Sequence, residues 1–68
     1  MNLKEFGQNV AKYRIKANLS AYELSLRIGK DASYINKLEN GKANSTLNVI
    51  FKICEVLEIE PEKLFKKQ

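Results

Sequence analysis

Ser33, Asn36 and Lys37 carry hydrogen-bonding groups at spacings that a helix brings to one side, and Ala32 and Asn40 fall on that side too at about 100° per residue. Short polar side chains with one Lys can donate to base edges and phosphates, and Ala32 can meet a thymine methyl. A face built only for solvent more often carries paired Glu and Lys, although a solvated surface is the plain alternative for this stretch taken alone. Tyr34, Ile35 and Leu38 fall on the opposite, inward side.

Other chemistries lack their residues. The chain has no His, one Cys, Cys54, and no Gly-rich phosphate loop, so metal ligation and nucleotide binding lack their usual residue sets. Its carboxylates are scattered over helix surfaces, with no triad or base in a plausible cleft. The expectation is a protein that is not an enzyme and needs no cofactor or metal.

The donors need a frame, and Ser20 to Gly41 supplies one. Ser20 with Glu23 three residues later is a capping box, Leu24 and Ile28 form one apolar stripe, and Gly29 ends the helix with a sharp turn. Asp31 is the candidate cap of the next helix, and Asn40-Gly41 closes it. Two short helices joined by a Gly turn read as helix-turn-helix. Before them, Phe6, Val10, Tyr13 and Ala17 recur at helical spacing, and Asn18 is placed to adopt the left-handed conformation that ends a helix. After them, Thr46 caps a helix with Leu47, Ile50, Ile53, Cys54 and Leu57 inward, and Glu60 caps a last helix with Pro61 at its first position. The spacing predicts an all-α chain of five helices near 3–17, 21–28, 32–40, 47–57 and 61–66, with 66–68 frayed.

Length allows one domain, 1–68, because a chain this short buries only about 60% of its unfolded surface. Residues 1–53 hold nine Lys/Arg against four acids, and 54–68 hold three against four. The positive field therefore surrounds the helix-turn-helix, as an acidic partner such as double-stranded DNA would require. A lone Cys fits a reducing compartment, the opening MNLKEF is no signal sequence, and no apolar run could span a membrane, so the expected place is the cytoplasm.

From Phe6 to Phe65 the chain resembles the Cro/repressor-type helix-turn-helix family, whose best-known fold is the lambda-repressor-like DNA-binding domain. The matching residues are Arg14 after Tyr13, Leu19-Ser20, Glu23-Leu24, Ile28-Gly29, Ser33 to Ile35, Leu38 to Lys42, Asn44, Leu47, Ile50, Ile53, Leu57, Ile59 and Leu64-Phe65, in one ungapped register. The resemblance implies a sequence-specific transcriptional regulator, repressor-like, binding a two-fold operator as a homodimer through helix 32–40 in the major groove. It also implies base contacts from Ala32, Ser33, Asn36 and Lys37, phosphate contacts from Ala21, Asn40, Lys42 and Asn44, and a structural salt bridge between Arg14 and Glu39. Ala21 and Ala32 stand where the family favours longer polar residues, Ser45 replaces a usual Pro, which implies a looser loop, and Glu58 replaces a usual Gly.

A reading from another class rests on Tyr22 and Leu26, at i and i+4 on the outer side of helix two, where the family is usually charged. Adjacent exposed apolar residues mark partner surfaces. On this reading the chain is a protein-interaction module of the antitoxin or anti-repressor type.

Overall fold

The computed structural model describes residues 1–67, and among them there is no β-strand. Four α-helices are formed: α1 (Leu3–Lys16), α2 (Ala21–Arg27), α3 (Tyr34–Glu39) and α4 (Leu47–Leu57). The expected fifth helix is a 3-10 turn, Pro61–Phe65. Its short span carries an i to i+3 bond, from Lys63 N–H to the Glu60 carbonyl, and Glu60 makes no side-chain cap. No helix among the described residues is long and apolar enough to cross a membrane.

Local chemistry sets most boundaries. Asn2 caps α1 by accepting the Glu5 N–H, Thr46 caps α4 by accepting the Val49 N–H, and Ser20 with Glu23 forms both bonds of the capping box. Asn18 and Glu58 take left-handed backbones with φ of 59° and 55°, and Gly29 turns at 77°. Glu58 thus does the work of a Gly at the end of α4, at the cost of a Cβ in that region.

The expected start of α3 at residue 32 is corrected to Tyr34, with Ala32 and Ser33 in the preceding turn. Asp31 Oδ1 accepts the Ser33 N–H at 3.0 Å and its hydroxyl at 2.7 Å, which tightens the turn, and Tyr34 N–H reaches back to the Asp31 carbonyl.

The core is one cluster. Phe6 and Val10 of α1, Leu24 and Ile28 of α2, Ile35 and Leu38 of α3, Ile53 and Leu57 of α4, and Leu64 are all buried. One inward assignment fails, since Leu47 is 63% exposed, and Ala17, the last residue of the α1 repeat, lies at the C-cap in solvent. At 3.6 residues per turn Leu47 shares a stripe with Phe51, which is also exposed, so it belongs to the outer face of α4. Asn9 is buried and its Nδ2 donates to the Leu64 and Lys66 carbonyls, both at 2.8 Å. Lys66, expected to fray, is therefore tied down, while Gln68 lies outside the described residues.

The capping box carries a pH prediction. Hydrogen bonds from the Ser20 backbone N–H and then the Ser20 side chain hold the Glu23 carboxyl below the usual range. The unfolded chain then binds this proton more readily, so the stabilisation is present above the ordinary Glu pKa of about 4.3 and is lost as pH falls through the lower folded value. Glu23→Gln should flatten the acid limb of a plot of unfolding midpoint against pH; an unchanged slope would show that the carboxylate does not hold the α2 start.

Candidate nucleic-acid interface

Two elements place the candidate base-contacting residues. Ile35 and Leu38 are buried, so Asn36 and Lys37 must face outward from α3, and both are exposed. Ala32 and Ser33 are exposed too, presented by the turn before the helix rather than by the helix itself. The Ser33 hydroxyl donates to Asp31, so toward a partner it is left as an acceptor. The Asp31 carboxyl is held below its usual range by the hydrogen bond from the Ser33 side chain and then that from its backbone, which keeps this turn anionic.

The candidate phosphate residues flank that face. Ala21 is the first residue of α2, where helix N–H groups lack intrahelical partners. Asn40 closes α3, its Nδ2 donating to the Asn36 carbonyl at 2.7 Å. Lys42 and Asn44 follow in an exposed loop. That loop is held where a loose one is expected: the Tyr34 hydroxyl lies 2.7 Å from Ser45 Oγ and donates to the Asn44 carbonyl at 3.3 Å. Among the described residues, neither Lys37 nor Lys42 forms an ion pair, which leaves both ammonium groups available to an anion.

Behind the face stands a strut. Arg14 Nε and Nη2 meet the Glu39 carboxylate oxygens at 2.7 and 3.0 Å, and Nη1 donates to the Leu19 carbonyl at 2.8 Å. The side chains are only 15% and 12% exposed, and the hydrogen bond to Glu39 raises the Arg14 pKa further. A fork-to-fork pair fixes direction as well as distance, so α1 holds the last turn of α3.

Two contributors escaped the sequence reading. A Cβ on Gly7 would lie 2.3 Å from the Leu38 carbonyl oxygen, so α1 can cross α3 only because this residue has no side chain. A Gly inside an apolar helical pattern was the available signal. Ser25 is fully buried, its hydroxyl donating to the Ala21 carbonyl at 2.8 Å and accepting the Ile35 N–H at 3.0 Å. A polar residue beside Leu24 in an inward stripe was its signal.

This fold, with its outward polar face on the second helix of the turn, defines a DNA-binding helix-turn-helix transcription-regulator domain. Residues 10–64 match the helix-turn-helix family model, and the chain belongs to that family, of the XRE type. It is 35% identical over 60 residues to the control protein C.BamHI of Bacillus amyloliquefaciens, covering 87% of this chain and 74% of that protein. An uncharacterised HTH-type transcriptional regulator of Archaeoglobus fulgidus is 34% identical over 56 residues, 82% of this chain and 79% of that one. Among solved structures, the restriction-modification controller protein C.AhdI of Aeromonas hydrophila superposes with a TM-score of 0.87 at 38% identity, covering 93% of this chain and 96% of that one. The hypothetical transcription factor NHTF from Neisseria gives 0.90 at 22% identity, over 98% and 77% of the two chains, and attests the fold alone.

Proposed function

We propose that this chain is a sequence-specific regulator of the controller and repressor kind, binding a two-fold symmetric DNA site as a homodimer. The observation that carries it is the exposed surface of Ala32, Ser33, Asn36 and Lys37 on a segment locked from behind by Arg14 and Glu39. In this reading α3 enters the major groove while Ala21, Asn40, Lys42 and Asn44 meet phosphates. Similarity to a restriction-modification controller protein over nearly the whole chain supports it.

One short recognition helix reads only a few base pairs, so two copies about one helical turn apart give a usable site. The outer face of α4 and the last turn suit the contact between copies. Leu47 and Phe51 are exposed there, and an apolar groove of about 490 Å³ runs between Leu3, Phe6, Ile50 and Phe65.

On this reading Lys37 and Lys42 have different tasks. Lys37 sits one turn beyond Ser33 and can reach guanine O6 and N7, whereas Lys42 lies past the helix end beside the strand backbone. Lys37→Ala should cost about 1–3 kcal/mol on the best site and little on a duplex altered at its base pair; Lys42→Ala should weaken every duplex alike and shallow the salt slope by about one. Competition binding on matched and mismatched duplexes decides it, and equal losses on all duplexes for both variants would show that Lys37 does not read sequence.

Tyr22 and Leu26 are 59% and 51% exposed on α2, which favours a second reading as a protein-interaction module. Such a module needs no duplex and would lack the salt dependence of phosphate neutralisation.

A further inference from the structure

The turn before α3 leaves the helix without its own side-chain cap. Ser33 occupies the cap position, yet its hydroxyl is spent on Asp31 and makes no bond to the helix N–H groups. The Ile35 N–H instead goes to Ser25, a residue of another helix, with an N to O distance of 3.0 Å. Ser25 Oγ is held from the other side by donating to the Ala21 carbonyl at 2.8 Å, and the residue has no exposed surface. We infer that Ser25 is a positioning residue for DNA reading: a cap supplied by α2 that sets the register of α3 against the α2 start.

Apolar packing is non-directional, so Leu24 and Ile28 against Ile35 and Leu38 would tolerate a small slide or roll of α3. A hydrogen bond to a backbone N–H does not tolerate it, because both distance and angle are constrained. Ala21 and Ala32 have no side-chain group that could hydrogen-bond between the α2 start and the turn before α3. Ser25 supplies the link from beneath, joining the backbone of Ala21 to that of Ile35 through one oxygen. Asn36 and Lys37 follow Ile35 directly, so a shift at Ile35 is carried to both. With only six residues, α3 has little intrinsic stability to resist such a shift. Its last turn is fixed by Arg14 and its first by Ser25.

This inference rests on the DNA-binding reading, and the test separates the two. The probes are the best duplex recovered from a random pool and its scrambled counterpart, with amide hydrogen exchange measured on the free protein. Ser25→Ala should lower the ratio of affinities for the two duplexes by about tenfold, leaving scrambled-duplex affinity and its salt slope in place. Ile35 amide exchange should quicken by about tenfold or more while that of Ile53 holds. Val49→Ala trims a buried α4 side chain and should lower the unfolding midpoint without changing the ratio. Where Ser25→Ala does not fold, Ser25→Cys keeps the side-chain shape with a somewhat larger, weaker acceptor and should show smaller changes in the same direction. An unchanged ratio, unchanged Ile35 exchange, or an equal loss of ratio in Val49→Ala overturns the inference. A wild-type protein that does not distinguish the duplexes overturns the DNA-reading proposal itself.

Discussion

Gly7→Ala should destabilise this protein by about 3 kcal/mol or more, although in most helix interiors the same change is favourable by up to about 1 kcal/mol. The reversal comes from backbone contact: the new Cβ would fall 2.3 Å from the Leu38 carbonyl oxygen and 2.8 and 2.9 Å from Glu39 Cα and its carbonyl carbon. Backbone atoms cannot swing aside as a flexible side chain can, so α1 must lift from α3, opening the core at Phe6 and Val10. A chain of 68 residues has a total stability of about 5 kcal/mol, so a loss of this size removes most of it. Thermal unfolding should shift down by about 12 °C or more. Gly29→Ala is the control, since nothing lies within 4 Å of its Cβ and only the positive φ of 77° opposes it. That variant should lose about 1 kcal/mol. Equal midpoints for the two would show that the α1 to α3 approach is not close-packed at Gly7.

The second large effect is expected at the strut. Arg14→Ala should cost about 3 kcal/mol, the lower end of the range for breaking a buried pair from one side, because both partners keep an edge in solvent. The loss has two parts: the Glu39 carboxylate is left without its fork, and the Leu19 carbonyl is left without the Nη1 donor. Lys12→Ala, on an exposed side chain, should move the midpoint little. Replacing both members with apolar residues, Arg14→Met with Glu39→Leu, should recover much of the stability, since neither charge then remains buried alone. Denaturant unfolding of the two single variants and the double variant yields the coupling, and additive losses would contradict a cooperative strut.

What could be read from the chain divides by range. Ser20 with Glu23, Gly29, Asn18 and Thr46 act within a turn of their own positions, so their residue types alone placed the ends they control. The start of α3 was misplaced because Asp31 resembles a local cap, whereas the bond to the Ile35 N–H comes from Ser25, ten residues earlier. Periodicity identified the outward side of α3 because Ile35 and Leu38 repeat at helical spacing. It could not settle Leu47, since a repeat gives the stripe and not the tilt of the helix on the core. The pairing of Arg14 with Glu39 spans 25 positions and came from family resemblance alone, as no local pattern links them. The partners of Gly7 and Asn9 were hidden for the same reason: each residue answers to a distant element, so the Gly in the helical pattern marked a special position without saying what it meets.

Reading of duplex DNA by α3 is the central claim, and a salt titration of binding between the whole chain and a selected duplex tests it most directly. Neutralised phosphates release counterions, so the logarithm of the binding constant should fall linearly with that of salt, with a slope of roughly −0.9 for each phosphate neutralised. A protein carrying its excess of Lys and Arg around the helix-turn-helix should give a steep line. Binding that is absent at low salt, or that stays level as salt rises, would contradict the account and leave the Tyr22 and Leu26 surface as the one to pursue.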